Sequence, residues 1–190
     1  MPTKWFSLTV SESSPILPVH FNFAHMKENN FAFIDSQNLN LGIKMLGWGL
    51  DFKKFRIYLS EKYHISVAYL FMGYMQQNQD LYTSLQKAGY VVVFKPVVID
   101  KNGNVKGNVD ADLVLQAMIE YANFDKALIV SSDGDFYSLV KYLYEHGKLQ
   151  LVMSPHVKTC SILLKQSAKE KIIFMNNLRQ KLEYKAKKHR

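Results

Sequence analysis

Six short apolar runs, each ended by a turn or by a stretch of helical period, restrict the fold of this chain more than any other feature. They lie at residues 31–34, 65–71, 90–94, 127–130, 149–153 and 172–174. Each is too short for a buried helix. Most are nearly continuous in apolar side chains, which suits strands covered on both faces. Between them lie helix-compatible stretches: a polar one after residue 35, then 51–62, 76–88, 110–121, 135–145 and 159–168. Leu81, Leu85 and Ala88 fall on one face of the third, and Leu113, Ala117, Met118 and Tyr121 on one face of the fourth. Gly89 and the pair His146-Gly147 stop two of the helices. Strands alternating with helices give a parallel sheet with helices on both faces, a three-layer α/β/α fold with a Rossmann-like central sheet. Residues 100–108, which contain Asn102-Gly103, are turn-rich and suit a small inserted β-ribbon.

A chain of 190 residues fits one domain with appendages. Residues 1–29 read as an extension, broken by Pro2, Pro15 and Pro18 and by a Ser-Glu-Ser-Ser stretch. Residues 30–175 carry the periodic pattern, and 176–190 form a basic tail. The single cysteine, Cys160, rules out an internal disulfide, reads as a small buried residue, and suits a reducing cytoplasmic setting. No segment reaches the roughly 18 apolar residues of a membrane span. Glu12, Ser13 and Ser14 interrupt the N-terminal region, so a signal peptide is not expected. The formal net charge is +8, and six of the last 12 residues are Lys or Arg. Such a balance favours polyanions and makes the tail a candidate nucleic-acid arm. The alternative is a short helix packed on the domain or on a second copy in a homodimer, since Leu178 and Leu182 are four apart.

The aspartates fall in a pattern. Asp35 ends the first strand, Asp110 opens the helix before the fourth strand, and Asp133 and Asp135 follow the fourth strand in Ser131-Ser-Asp-Gly-Asp135. Carboxyl ends of parallel strands, and the starts of the helices that follow them, share one edge of the sheet. Each acid alone has a plain explanation as a helix cap or turn residue. Three separate segments delivering acids to one rim call for more, because crowded carboxylates repel. A divalent cation relieves that repulsion, and an all-oxygen ligand set favours Mg²⁺ or Mn²⁺. An acidic pit in a basic chain suits a nuclease, with lysines on the backbone and metal in the pit.

Three motifs then carry a resemblance. Phe33-Ile-Asp-Ser-Gln-Asn-Leu39 looks like the opening motif of NYN domains. Lys106-Gly-Asn-Val-Asp-Ala-Asp-Leu113 and Ala127-Leu-Ile-Val-Ser-Ser-Asp-Gly-Asp-Phe-Tyr-Ser-Leu139 resemble that family's second and third motifs, in the same order. The resemblance spans residues 30–175 and extends to LabA-like bacterial proteins. It implies a PIN-like fold and Mg²⁺- or Mn²⁺-dependent cleavage of RNA. It also implies roles: Asp35, Asp110, Asp133 and Asp135 as metal ligands, Asn38 and Ser131 as residues that orient ligands or the scissile phosphate, and Lys106 as a phosphate contact.

One departure bears on activity. Many relatives carry another acid two turns into the helix begun by Asp110, where this chain has Gln116. Asp112 does not replace it, lying about 200° around the helix from Asp110. The competing reading is therefore a non-catalytic RNA-binding module on the same fold. Phosphatase or glycosyltransferase use of Asp133-Gly-Asp135 is disfavoured, because the first strand lacks a second acid and no sugar-nucleotide pocket is evident. Trp48, between two glycines, is a candidate for a place beside the substrate path, and a minority of the tyrosines are candidates for stacking platforms for bases.

Overall fold

A computed structural model describes residues 28–96, 98–99, 105–106 and 109–185. Six parallel strands form its central sheet: β1 (Asn30–Asp35), β2 (Ile65–Gly73), β3 (Val91–Lys95), β6 (Ala127–Val130), β7 (Leu149–Ser154) and β8 (Ile172–Phe174). A two-residue antiparallel ribbon, β4 (Val98–Ile99) with β5 (Val105–Lys106), is inserted after β3, as the turn-rich sequence suggested. The tip of that ribbon, and the side chain of Lys106, lie outside the described residues.

Strand order is β3-β2-β1-β6-β7-β8. The chain therefore moves outward from β1 to β3, returns across the sheet to β6, and moves outward the other way. The switch point lies between β1 and β6. Helices α1 (Ser36–Met45), α2 (Phe52–Tyr63) and α3 (Gln79–Lys87) cover one face, and α4 (Asp110–Ile119), α5 (Tyr137–Glu145) and α6 (Ile162–Ala168) cover the other. In β1, Ala32 and Ile34 enter the first core while Phe31 and Phe33 enter the second, which is the period-2 alternation of a strand buried on both sides. This is why the strand runs read as continuous apolar sequence.

Local chemistry sets the helix ends. The Asp35 and Asp51 side chains accept the Asn38 and Lys54 amides, each at 3.0 Å, capping α1 and α2. Gly89 and Gly147 take positive φ (94° and 69°) after α3 and α5. Gly42 lets the loop after β7 approach α1: a Cβ there would lie 2.6 Å from Pro155 Cβ, so any side chain must push that loop away.

Some expected core faces are corrected. In α3 the inward pair is Tyr82 and Leu85, while Leu81 is 46% exposed. In α4, Leu113 and Ala117 are buried but Met118 is exposed. Neighbouring residues on a helix differ by about 100°, so an apolar residue next to the true stripe mimics it. Trp48, the candidate for the substrate path, is buried. Gly47 turns the chain at φ 77°, and the indole joins the core formed by α1, α2 and the sheet. Cys160 is buried, as expected.

The last described stretch is also packed. A short helix, α7 (Arg179–Leu182), buries Leu182 in that same core. Leu182 O accepts the Asp51 amide at 2.8 Å, and the Tyr184 amide donates to Gly49 O at 2.8 Å.

Candidate metal centre

At the carboxyl edge, β1 leads into α1 on one face and β6 leads towards α5 on the other. A crevice opens between these connections, and ligand sites of open α/β sheets lie in such crevices. The four acids singled out in the sequence lie at this edge. Carboxylate oxygens of Asp110, Asp133 and Asp135 all lie within 4.8 Å of one another. Asp35 is outside that triad but lines the same cleft as Asp110 and Asp133, and is only 5% exposed.

The polar residues around them form a brace. Ser131 Oγ donates to Asp35 Oδ2 at 3.4 Å and accepts the Asp133 amide at 3.1 Å. Asn38 Oδ1 accepts the Ser132 amide at 2.8 Å, tying the start of α1 to the loop after β6. Asp133 Oδ1 accepts the Asp135 amide at 3.0 Å, which holds the two acids in one tight 3-10 turn, Gly134–Phe136. Behind the turn, Ser132 O accepts the Ser161 amide at 2.9 Å. Gly134 is set so close to Ser161 that a Cβ would meet its Oγ at 2.5 Å. Asn38 and Ser131 thus act on the backbone and on Asp35. Asp112, at the start of α4, pairs with Lys95 at 3.1 Å.

Burial, first of all, raises the pKa of Asp35, and the charges of Asp110 and Asp133 raise it further. The Asn38 amide and the Ser131 hydroxyl oppose the shift. A carboxyl whose pKa is raised by folding contributes stability in its protonated form, and this is lost as pH rises through the raised value. Without metal, Asp35→Asn is expected to melt higher than wild type at about pH 7, with the gain shrinking towards about pH 4. Asn remains a good cap for α1, so the substitution spares the helix. Thermal melts in EDTA at the two pH values check this; a variant less stable than wild type at the higher pH refutes it. Each 1 kcal/mol of relief reads as about 2–4 °C.

The donor set fits a hard divalent cation: all oxygen and anionic, with Asp35 and Asp133 each held by a backbone amide. The other wall of the cleft escaped the sequence reading. Leu41 on α1, with Met75, Leu81 and Tyr82 on and before α3, lines the same space of about 720 Å³ as the acids. The only sequence signal was the apolar period of α3, which pointed Leu81 into the core.

A three-layer fold with acids gathered at the switch point of a parallel sheet is that of the PIN-like nuclease class. The NYN domain pattern matches residues 31–176, and the chain belongs to the NYN domain family. A crystal structure of a protein of unknown function from Vibrio parahaemolyticus is similar, with a TM-score of 0.66 at 20% identity. The match covers 83% of this chain and 98% of that one; at such identity the likeness concerns the fold alone. No curated protein matches the sequence. Among the described residues, no helix is long and apolar enough to cross a membrane.

Proposed function

We propose that this protein is a metal-dependent ribonuclease that hydrolyses phosphodiester bonds inside RNA chains in the cytoplasm. The observation that carries the reading is the convergence of Asp110, Asp133 and Asp135, delivered by two separate segments, with Asp35 from a third beside them. These four residues are the proposed ligands of Mg²⁺ or Mn²⁺, directly or through water. When bound, such a cation neutralises the acids, activates a water and stabilises charge on an in-line phosphoryl transition state.

The chain's own residues supply position. Ser131 holds Asp35 and the Asp133 amide together, and Asn38 locks the two loops that flank the crevice. Lys106, in the ribbon strand β5 just before α4, is the proposed phosphate contact. The surplus of 24 Lys and Arg over 16 Asp and Glu attracts the polyanion to this acidic pit. RNA is the proposed substrate because of the family and the basic balance. In the proposed division, 1–29 is an extension, 30–175 the nuclease domain and 176–190 a basic tail.

Gln116 gives little weight to a non-catalytic module. Its amide donates to Glu120 at 3.1 Å, and it lies six positions along the helix from Asp110, a rise of about 9 Å. The test is incubation of purified protein with labelled RNA and DNA under Mn²⁺, Mg²⁺ and EDTA. RNA cleavage that requires metal supports the reading. Absence of cleavage with either metal, or cleavage undiminished in EDTA, overturns it.

A further inference from the structure

We infer that the apolar wall of the metal-centre cleft is a pocket for one unpaired nucleobase of the RNA strand being cut. The inference rests on the nuclease reading above and adds what the site recognises. Leu41, Met75 and Leu81 are 53%, 36% and 46% exposed, yet all three line the cleft that holds Asp35, Asp110 and Asp133. Phosphate has no use for such surface. The part of a nucleotide that does is the flat, weakly hydrated face of its base. A space of about 720 Å³ lies within the usual range of small-ligand sites, roughly 300–1,000 Å³.

The wall is built to stay in place. Tyr82 is buried, and its hydroxyl accepts the Met75 amide at 2.7 Å and donates to Met75 O at 3.1 Å. The rings of Tyr82 and Phe94 pack edge to face at 4.5 Å, with Tyr74 against both. A base docking here meets a surface ordered in advance, which lowers the entropy cost of binding. The rim carries amides. Gln37 and Asn40 are exposed, and Asn78, at the start of α3, makes no capping bond with its side chain. Amides offer both donors and acceptors to the edge of a base. A paired, stacked base has its faces and edges occupied, so the pocket selects single-stranded positions.

The occupant follows from continuity with the metal centre. A strand whose phosphate reaches Asp110 and Asp133 brings an adjoining base to the wall. The test measures RNA binding with Ca²⁺ as the metal. Single-stranded RNA is compared with the same strand made abasic at one position at a time. Wild type is expected to lose affinity at a single position by roughly tenfold, the scale of burying about 60 Å² of apolar surface at about 25 cal/mol per Å². In the Leu41→Ser/Leu81→Ser chain the intact strand should bind as weakly as the abasic one. Both leucines are half-exposed, so the variant should fold, and a thermal melt verifies it.

An abasic scan without a position-specific penalty in wild type overturns the pocket. So does a penalty that persists undiminished in the double variant. The two readings separate. Metal-dependent cleavage without any abasic penalty sinks the pocket and keeps the nuclease. An abasic penalty that the double variant abolishes, in a protein that cleaves nothing, keeps the pocket and sinks the nuclease.

Discussion

Asp133→Asn is expected to lower metal-dependent RNA cleavage by at least about a hundredfold, the upper end of what loss of even an outer-sphere metal partner costs, with the fold unchanged. The substitution separates charge from shape. The asparagine oxygen still accepts the Asp135 amide, so the 3-10 turn that presents both residues is retained. The lost property is one negative charge among three carboxylates within 4.8 Å of each other. Two unit charges at such a spacing repel by about 3 kcal/mol at an effective dielectric constant near 20. The same field attracts a cation with the opposite sign, so removing one charge weakens metal occupancy directly. The comparison variant is Asp112→Asn, which lies on the same helix as Asp110 but pairs with Lys95. Its carboxylate is engaged by Lys95 and lies outside the triad of close acids, so its loss of rate should be much the smaller of the two. Initial rates on labelled RNA in Mn²⁺, with circular dichroism melts of each variant, make the measurement. Equal rates for Asp133→Asn and wild type would remove Asp133 from the proposed site.

What the sequence displayed and what it concealed divide along range of interaction. The strands were legible because burial on both faces leaves continuous apolar runs, as in Ala127–Val130, which needs no partner to be recognised. The acids were legible because a parallel sheet sends the ends of its strands to one edge, whatever the strand order. That Asp35 sits deeper than the triad was not legible. Its burial depends on α1, on Ser131 and on the loop after β6, which meet only in three dimensions. The apolar cleft wall was hidden for a different reason. Leu81 and Tyr82 differ by one step on α3, and either fits a loosely drawn helical stripe; the hydroxyl bonds from Tyr82 to Met75 decide which turns inward. The burial of Trp48 was not legible, because a glycine-flanked aromatic looks like an exposed loop tip. Here Gly47 turns the chain at positive φ, and the indole joins the same core as Leu182, more than 130 residues away in sequence.

That distant packing governs the last prediction, which concerns where the basic tail begins. Cutting the chain after Leu178 is expected to destabilise it by about 2–5 kcal/mol, the cost of emptying a buried leucine site. Leu182 is 1% exposed in the core shared by α1, α2 and the sheet. The cut also removes the acceptors of the Asp51 amide, bonded to Leu182 O, and of Lys54 Nζ, bonded to Glu183 O, each at 2.8 Å. At about 2–4 °C per kcal/mol, the melting temperature should fall by roughly 5–20 °C. Weak RNA binding by such a chain would report partial unfolding, so a different cut is needed to test the arm. Cutting after Lys185 keeps every packed contact named above and removes Lys187, Lys188 and Arg190. That shorter cut removes none of the contacts described above, so the melting temperature should stay within about 1–2 °C of the full chain. If the tail grips RNA, each lost phosphate contact should flatten the dependence of log affinity on log salt by about 0.7. The weakening should be nearly the same for any sequence, because lysines on backbone charge do not read base edges. A salt slope unchanged by the Lys185 cut would end the case for an RNA arm. An unchanged melting temperature after the Leu178 cut would show that Leu182 does not anchor the chain.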